Sequence, residues 1–131
     1  MKNIAFRAWF GDKKYGSMLY SSKLLNNSTR PRASVEATSI DLFFEQVLRY
    51  KGKVDVMMFT GLIDAKGSPV YENDILITDD EEIWGVVRWN DDTCSFYLDS
   101  YDRYSLDELW AIKPEVYRDI YRTPELLKEM K

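Results

Sequence analysis

Hydrophobic and polar positions alternate over residues 2 to 10. Ile4, Phe6, Ala8 and Phe10 fall on one side and Asn3, Ala5, Arg7 and Trp9 on the other, the period of a half-buried strand. Gly11-Asp12 reads as a turn, and a second strand is expected from Ser17-Met18-Leu19-Tyr20 to Leu25. The polar, proline-broken stretch from Asn26 to Ser34 reads as a loop. From Thr38 the period changes: Ile40, Phe43, Phe44, Val47 and Leu48 recur at helical spacing, and Thr38 with Asp41 has the form of a capping box, which predicts a helix over about 39–50 that Gly52 ends. Val54 to Phe59 is apolar and β-branched enough for a buried strand.

The second half is punctuated by turns. Asp64 to Gly67 predicts a hairpin turn, and Glu72-Asn73-Asp74 a tight bend, because asparagine tolerates positive φ better than any residue but glycine. Strands are expected at Ile75 to Thr78, at Ile83 to Trp89 with a bulge at Gly85, at Ser95 to Leu98 and at Val116 to Tyr121. Ser105 and Glu108 have capping-box spacing for a short helix near 105–110, and Thr123-Pro124-Glu125 is a start signal for another near 123–130. The sum is one α+β, β-rich domain spanning 1–131, built on a small, bent antiparallel sheet or barrel.

Composition narrows the function. The chain has 131 residues, 45% hydrophobic, 15% aromatic and 31% charged, enough apolar side chains for a single core and a solvated surface. Histidine is absent, so a serine or cysteine nucleophile lacks its usual base and the commonest zinc and iron sites lack their usual ligand. Cys94 is the only cysteine; it forms no disulfide within the chain, is expected as a core thiol, and suits a reducing, cytoplasmic compartment. No run of about 18 apolar residues could span a bilayer, and no membrane association is expected. The net charge of −4 is unevenly distributed. Residues 1–66 hold 11 basic against 6 acidic residues (+5) and residues 67–131 hold 7 against 16 (−9). Two halves of opposite sign either lie against each other or present a basic and an acidic face to partners.

Four segments carry a family resemblance: Phe6-Arg7-Ala8-Trp9; the long run from Phe59-Thr60-Gly61-Leu62-Ile63-Asp64 through Tyr71-Glu72-Asn73-Asp74 to Leu76; Gly85-Val86-Val87; and Ile120-Tyr121-Arg122-Thr123-Pro124-Glu125-Leu126-Leu127. In this order they resemble the YopX family of phage and prophage proteins. The sequence departs from the family pattern at Asn73, where glycine is typical, and at Arg118-Asp119, where Gly-Asn commonly precedes the Ile-Tyr pair. Residues 26–53 carry no family motif. The resemblance implies a domain of the SH3-like barrel kind, and it lends no catalytic residue.

Candidate sites follow from chemistry and position. Arg7 and Trp9 share a strand face, so the guanidinium could stack near the indole or clamp an anion; alternatively it pairs with Glu72 or Asp74 of its own domain. Tyr71, Glu72 and Asp74 sit at the bend of the most specific motif, where they either contact a ligand or fix the turn. Asp79 to Glu82 and Asp91-Asp92 lack the spacing of a calcium loop and read as solvated charge, so no metal and no cofactor is expected. Lys23, Arg30, Arg32, Lys51 and Lys53 could form a phosphate-binding patch. Tyr97, Tyr101, Tyr104 and Trp110, interleaved with acids, suit a protein-recognition surface or an ordinary small barrel. The expectation is a non-enzymatic, phage- or prophage-encoded accessory module that binds a host or phage protein and self-associates. The alternatives are a nucleic-acid-binding or regulatory protein using the basic half, and an acidic nucleic-acid mimic.

Overall fold

A computed structural model describes residues 4–11, 16–22, 34–37, 39–78 and 83–121. The elements are β1 (Phe6–Phe10), β2 (Ser17–Tyr20), β3 (Ser34–Glu36), α1 (Ile40–Arg49), β4 (Val54–Ile63), β5 (Pro69–Tyr71), β6 (Asp74–Ile77), β7 (Trp84–Asn90), β8 (Ser95–Asp99), β9 (Arg103–Ser105), α2 (Leu106–Trp110) and β10 (Glu115–Asp119). They form two five-stranded sheets, ordered β3-β2-β1-β4-β5 and β10-β6-β7-β8-β9. In the second, β6 to β9 form an antiparallel meander and β10, after the short α2, returns to pair with β6. That is the connectivity of an SH3-like half-barrel, as the resemblance implied. All described pairings are antiparallel except β2–β3, which is parallel.

Three apolar clusters alternate with the sheets. Ala8, Leu19 and Phe43 pack α1 onto the outer face of the first sheet, with Phe6, Phe10, Val47 and Val54 around them. Trp9, Met18, Tyr20, Met57, Phe59, Tyr71, Ile75, Val86, Ile120 and Tyr121 fill the space between the sheets. Val70, Leu76, Val87, Leu98, Leu106 and Leu109 fill the barrel under α2. The central strands of both sheets are therefore covered on both faces. This is why β1, which alternates like a half-buried strand, buries Arg7, Ala8 and Trp9 in succession: α1 supplies a second apolar layer that a period-2 pattern does not reveal.

β4 reaches β5 across a bulge. It pairs Phe59 with Tyr71 and Ile63 with Pro69, so four steps along β4 face two along β5. Gly61 takes φ 90°, open to glycine alone at low cost, and a Cβ there would meet nothing, so the requirement is conformational. The bulge turns Leu62 into the barrel cluster. Thr60 Oγ1 bridges it, donating to Val70 O at 2.8 Å and accepting from Leu62 N at 3.2 Å. Asp64, buried at the turn beyond, accepts from the backbone N–H groups of Lys66, Ser68 and Val116 at 2.8–3.0 Å, which ties the hairpin to β10.

Several expectations shift. The helix cap is Ser39, whose hydroxyl accepts from Leu42 N, one residue beyond the predicted Thr38, and the helix ends at Arg49. Ser105 caps α2 as expected. β2 ends at Tyr20 rather than Leu25, where Ser21 closes onto Phe6. Ser34, read as loop, begins a strand. Gly85 is not a bulge: its register between Ile77 and Ile75 is continuous. A Cβ at Gly85 would lie 2.4 Å from Asp99 O, so the glycine permits close approach of β8. Cys94 is not a core thiol; it is exposed in the β7–β8 turn at φ 50°, where the chain reverses away from the core. The 26–33 loop, the 79–82 connection and the 123–130 helix lie outside the described residues.

Gly85→Ala is expected to lower stability by about 1–3 kcal/mol, because the methyl group meets backbone rather than a movable side chain. Chemical denaturation measures this, and an unchanged midpoint would refute the close-approach account.

Candidate functional site

The residues singled out from the sequence converge, but inside the protein. β1 carries Arg7 into the gap between the sheets, where it is 1% exposed. Its Nη2 donates to Asp74 Oδ1 at 2.9 Å and to Glu72 O at 3.0 Å, its Nε faces Met57 Sδ at 3.4 Å, and its guanidinium lies 4.7 Å from the centre of the Tyr71 ring. Asp74 uses its other oxygen to accept from Tyr71 N at 2.8 Å, closing the 71–74 bend on itself. Glu72, half-buried, accepts from Met58 N at 2.8 Å and returns its own N–H to Met58 O. Trp9 stacks on Tyr121, not under the guanidinium, at 5.1 Å and 16°.

Arg7 therefore pairs within its own domain, and the residue it stacks on is Tyr71. As surface contacts for a partner, Arg7, Trp9, Tyr71 and Asp74 are corrected by their burial. The charge pairing also bears on the split between halves: Arg7–Asp74, and Lys66–Glu115 at 3.5 Å, each join the basic half to the acidic half.

The electrostatics are those of a closed site. Burial pushes the Asp74 carboxyl up to about 6, although Arg7 and the Tyr71 N–H oppose it. Burial works against the charge on Arg7, but Asp74, with Tyr20 and Asp119, holds its pKa above the ordinary value. Burial likewise raises the Tyr71 phenol against the influence of Arg7, and raises Tyr121, helped by Asp55. At neutral pH the pair is ionised, with both groups out of water.

Asn73 is the residue whose role the sequence hid. Its φ of 68° confirms the bend, yet its side chain does more. Arg88 donates to Asn73 Oδ1 at 2.9 Å, Asn73 Nδ2 donates to Tyr121 Oη at 2.8 Å, and Tyr121 Oη donates to Asp55 Oδ2 at 3.0 Å. Its backbone joins Val87 O and Ile120 N. A glycine here could supply the bend but not the side-chain chain that links β7, the end of β10 and β4.

The other candidates do not assemble. Asp91 accepts from Trp89 Nε1, and Asp92 N donates to Asn90 Oδ1, which places both in ordinary turn contacts. Among the described residues no group of three or more potential ligands gathers to hold a metal. Of the basic patch, Lys51 and Lys53 are exposed, and Lys23, Arg30 and Arg32 lie outside the described residues. Tyr104 and Trp110 pack against the barrel cluster, Tyr97 carries Arg103 at 5.1 Å, and Tyr101 is exposed.

The open surface lies elsewhere. α1 covers β2 and β1 and takes in only Val54 of β4, so Val56 and Met58 are 42% and 41% exposed although Val54 to Phe59 reads as a buried run. Met58 is the cross-strand partner of Phe6, and Phe6 meets Phe44 of α1 edge to face at 5.3 Å. Ile40, Phe44 and Leu48 follow at intervals of four along one flank of the helix, with Leu48 85% exposed, and Ile4 extends the Phe6 row at 74%. Together they form a continuous apolar shelf. The sequence held one signal for it: six apolar positions on α1 make an arc wider than one contact line, and only Phe43 is buried.

The fold and site define a small β-rich domain whose Arg7–Asp74 pair is internal and which leaves apolar side chains of β4 and α1 exposed. The family model described as YopX protein matches residues 5–128, nearly the whole chain, and the protein belongs to the YopX family. No curated protein matches it. No described helix is long and apolar enough to cross a membrane.

Two outcomes are expected from the buried pair. Arg7→Met should cost about 3–5 kcal/mol because it strands the buried Asp74 carboxylate, Asp74→Asn should cost less because burial already favours the neutral acid it resembles, and the double variant should cost clearly less than their sum; additive costs in denaturation would refute the coupling. The second concerns pH. Native Asp74 keeps its proton up to about pH 6, whereas the unfolded chain releases it near 3.8, so the folded state binds more protons in that window. The stability difference between wild type and Asp74→Asn should therefore fall as pH rises from about 4 to 6 and level off above. A flat or rising difference would exclude a raised carboxyl.

Proposed function

We propose that this YopX-family protein is a non-catalytic, phage- or prophage-encoded accessory module that acts in the host cytoplasm by binding protein. The observation that supports the reading is the shelf of Ile4, Val56, Met58, Phe44 and Leu48. Apolar surface gathered beside an exposed helix flank is costly to leave in water, and on a small domain it suits the apolar centre of a protein interface. The groups a binding surface would otherwise draw on, Arg7 and Asp74, are committed to the interior. The occupant the shelf fits is a folded protein surface with apolar side chains at its centre and polar groups at its rim.

A pull-down from host lysate, with and without nuclease, tests the reading. Wild-type protein should retain protein stoichiometrically after nuclease treatment, and Leu48→Glu, fully folded by circular dichroism, should lose at least about tenfold of it. Retention of nuclease-sensitive material alone, or equal retention by Leu48→Glu, would reject the shelf as the binding surface.

A further inference from the structure

The shelf ends on an unfinished sheet edge. Gly11 N donates to Lys53 O and Phe59 N to Ala5 O, so the odd-numbered residues of this part of β4 direct their backbone groups toward β1. The even-numbered residues direct theirs the other way. Met58 is met there by Glu72, both at its N–H and at its carbonyl. β5 reaches only Phe59 and Ile63, and among the described residues nothing takes the outward N–H and C=O of Val54 and Val56. An open edge beside apolar side chains is a template for another strand.

Resting on the protein-binding reading, we propose that the occupant of this surface is a second copy of the chain, joined by antiparallel pairing of β4 with β4 about a two-fold axis at Val54. The register follows by elimination. An axis at Val56 would pair Val54 with Met58, whose backbone groups are already used by Glu72. An axis at Asp55 would place the two Asp55 carboxylates directly opposite each other, a destabilising arrangement. An axis at Val54 pairs Val54 with Val54 through their outward groups and brings Gly52 opposite the open Val56. It sets Lys53, exposed, opposite Asp55 of the second copy, and does so twice.

Asp55 is half-buried and accepts from Tyr121 through Oδ2, which leaves Oδ1 for the lysine. Lys53 and Asp55 share one face, and Val54, Val56 and Met58 share the other, the α1 side. A two-fold axis normal to the sheet keeps both α1 helices on that side. The two shelves then face across one trough, with Val56, Met58, Phe44 and Leu48 of each copy bordering it. Pairing thus satisfies the open backbone groups and covers the apolar shelf together.

The test is the mass of purified, nuclease-treated protein by sedimentation over a concentration series. Wild type should reach dimer mass, and Lys53→Asp should weaken association at least about tenfold, since it sets one acid opposite another in each of the two pairings. Lys53→Asp mixed with Asp55→Lys should form a heterodimer in which both ion pairs are restored, while each alone is monomeric. Val56→Pro, which removes an outward N–H without touching the ladder to β1, should also be monomeric while folded by circular dichroism. A monomeric wild type, or a dimer unaffected by Lys53→Asp and Val56→Pro, would overturn the interface. Should Asp55→Lys not fold, those last two variants decide the matter. Lysate protein retained by a monomeric wild type would reject self-pairing while leaving the protein-binding reading intact.

Discussion

Arg7 and Asp74 meet in the space between the two sheets, and the remaining architecture is arranged around keeping that meeting dry and satisfied. One partner comes from the second strand position of the chain's first element, the other from the first residue of β6, so the pair joins the sheet that begins the chain to the sheet that ends it. A buried ion pair adds little net stability over apolar packing, because desolvating two charges offsets their attraction. What it does impose is specificity of arrangement. The guanidinium fork needs Asp74 Oδ1, Glu72 O and the Tyr71 ring face at once, and these come together only when the 71–74 bend is closed and the sheets are in register.

The bend itself is a shared component. Asp74 Oδ2 holds Tyr71 N while Oδ1 holds Arg7, so the carboxylate that closes the turn is the one that docks the sheets. Asn73 repeats the economy: its backbone provides the positive φ, and its side chain passes hydrogen bonds from Arg88 to Tyr121 and on to Asp55. Trp9 stacks on the same Tyr121 ring. The junction is thus polar at its centre and aromatic around it, and its ligand-like groups are consumed by folding.

One surface is left incomplete by the fold. α1 is placed over β1 and β2 by Phe43, and of β4 its cluster takes in only Val54. The bare row of Val56 and Met58 and the free flank of the helix are two consequences of one displacement, and the open backbone edge lies beside them because β5 reaches only Phe59 and Ile63. An apolar row can be tolerated singly on a surface, but beside unpaired strand groups it is a place where another chain gains both burial and hydrogen bonds.

Much of this was legible along the chain. The alternation of β1, the Ser105 cap, the Asp64–Gly67 and Glu72–Asp74 turns and the meander of short strands are local matters, decided by side-chain period and backbone preference, and the sequence determined them by itself. Other features belong to contacts made far along the chain. Gly85 reads as a bulge until Asp99 O is brought against it, and Cys94 reads as a core residue until its turn points outward. β4 reads as wholly buried, because an apolar run records what each residue tolerates and not which neighbour arrives to cover it. Only the tertiary structure decided that α1 would cover β1 and leave β4 open, since burial is a property of the assembled layers and not of the strand.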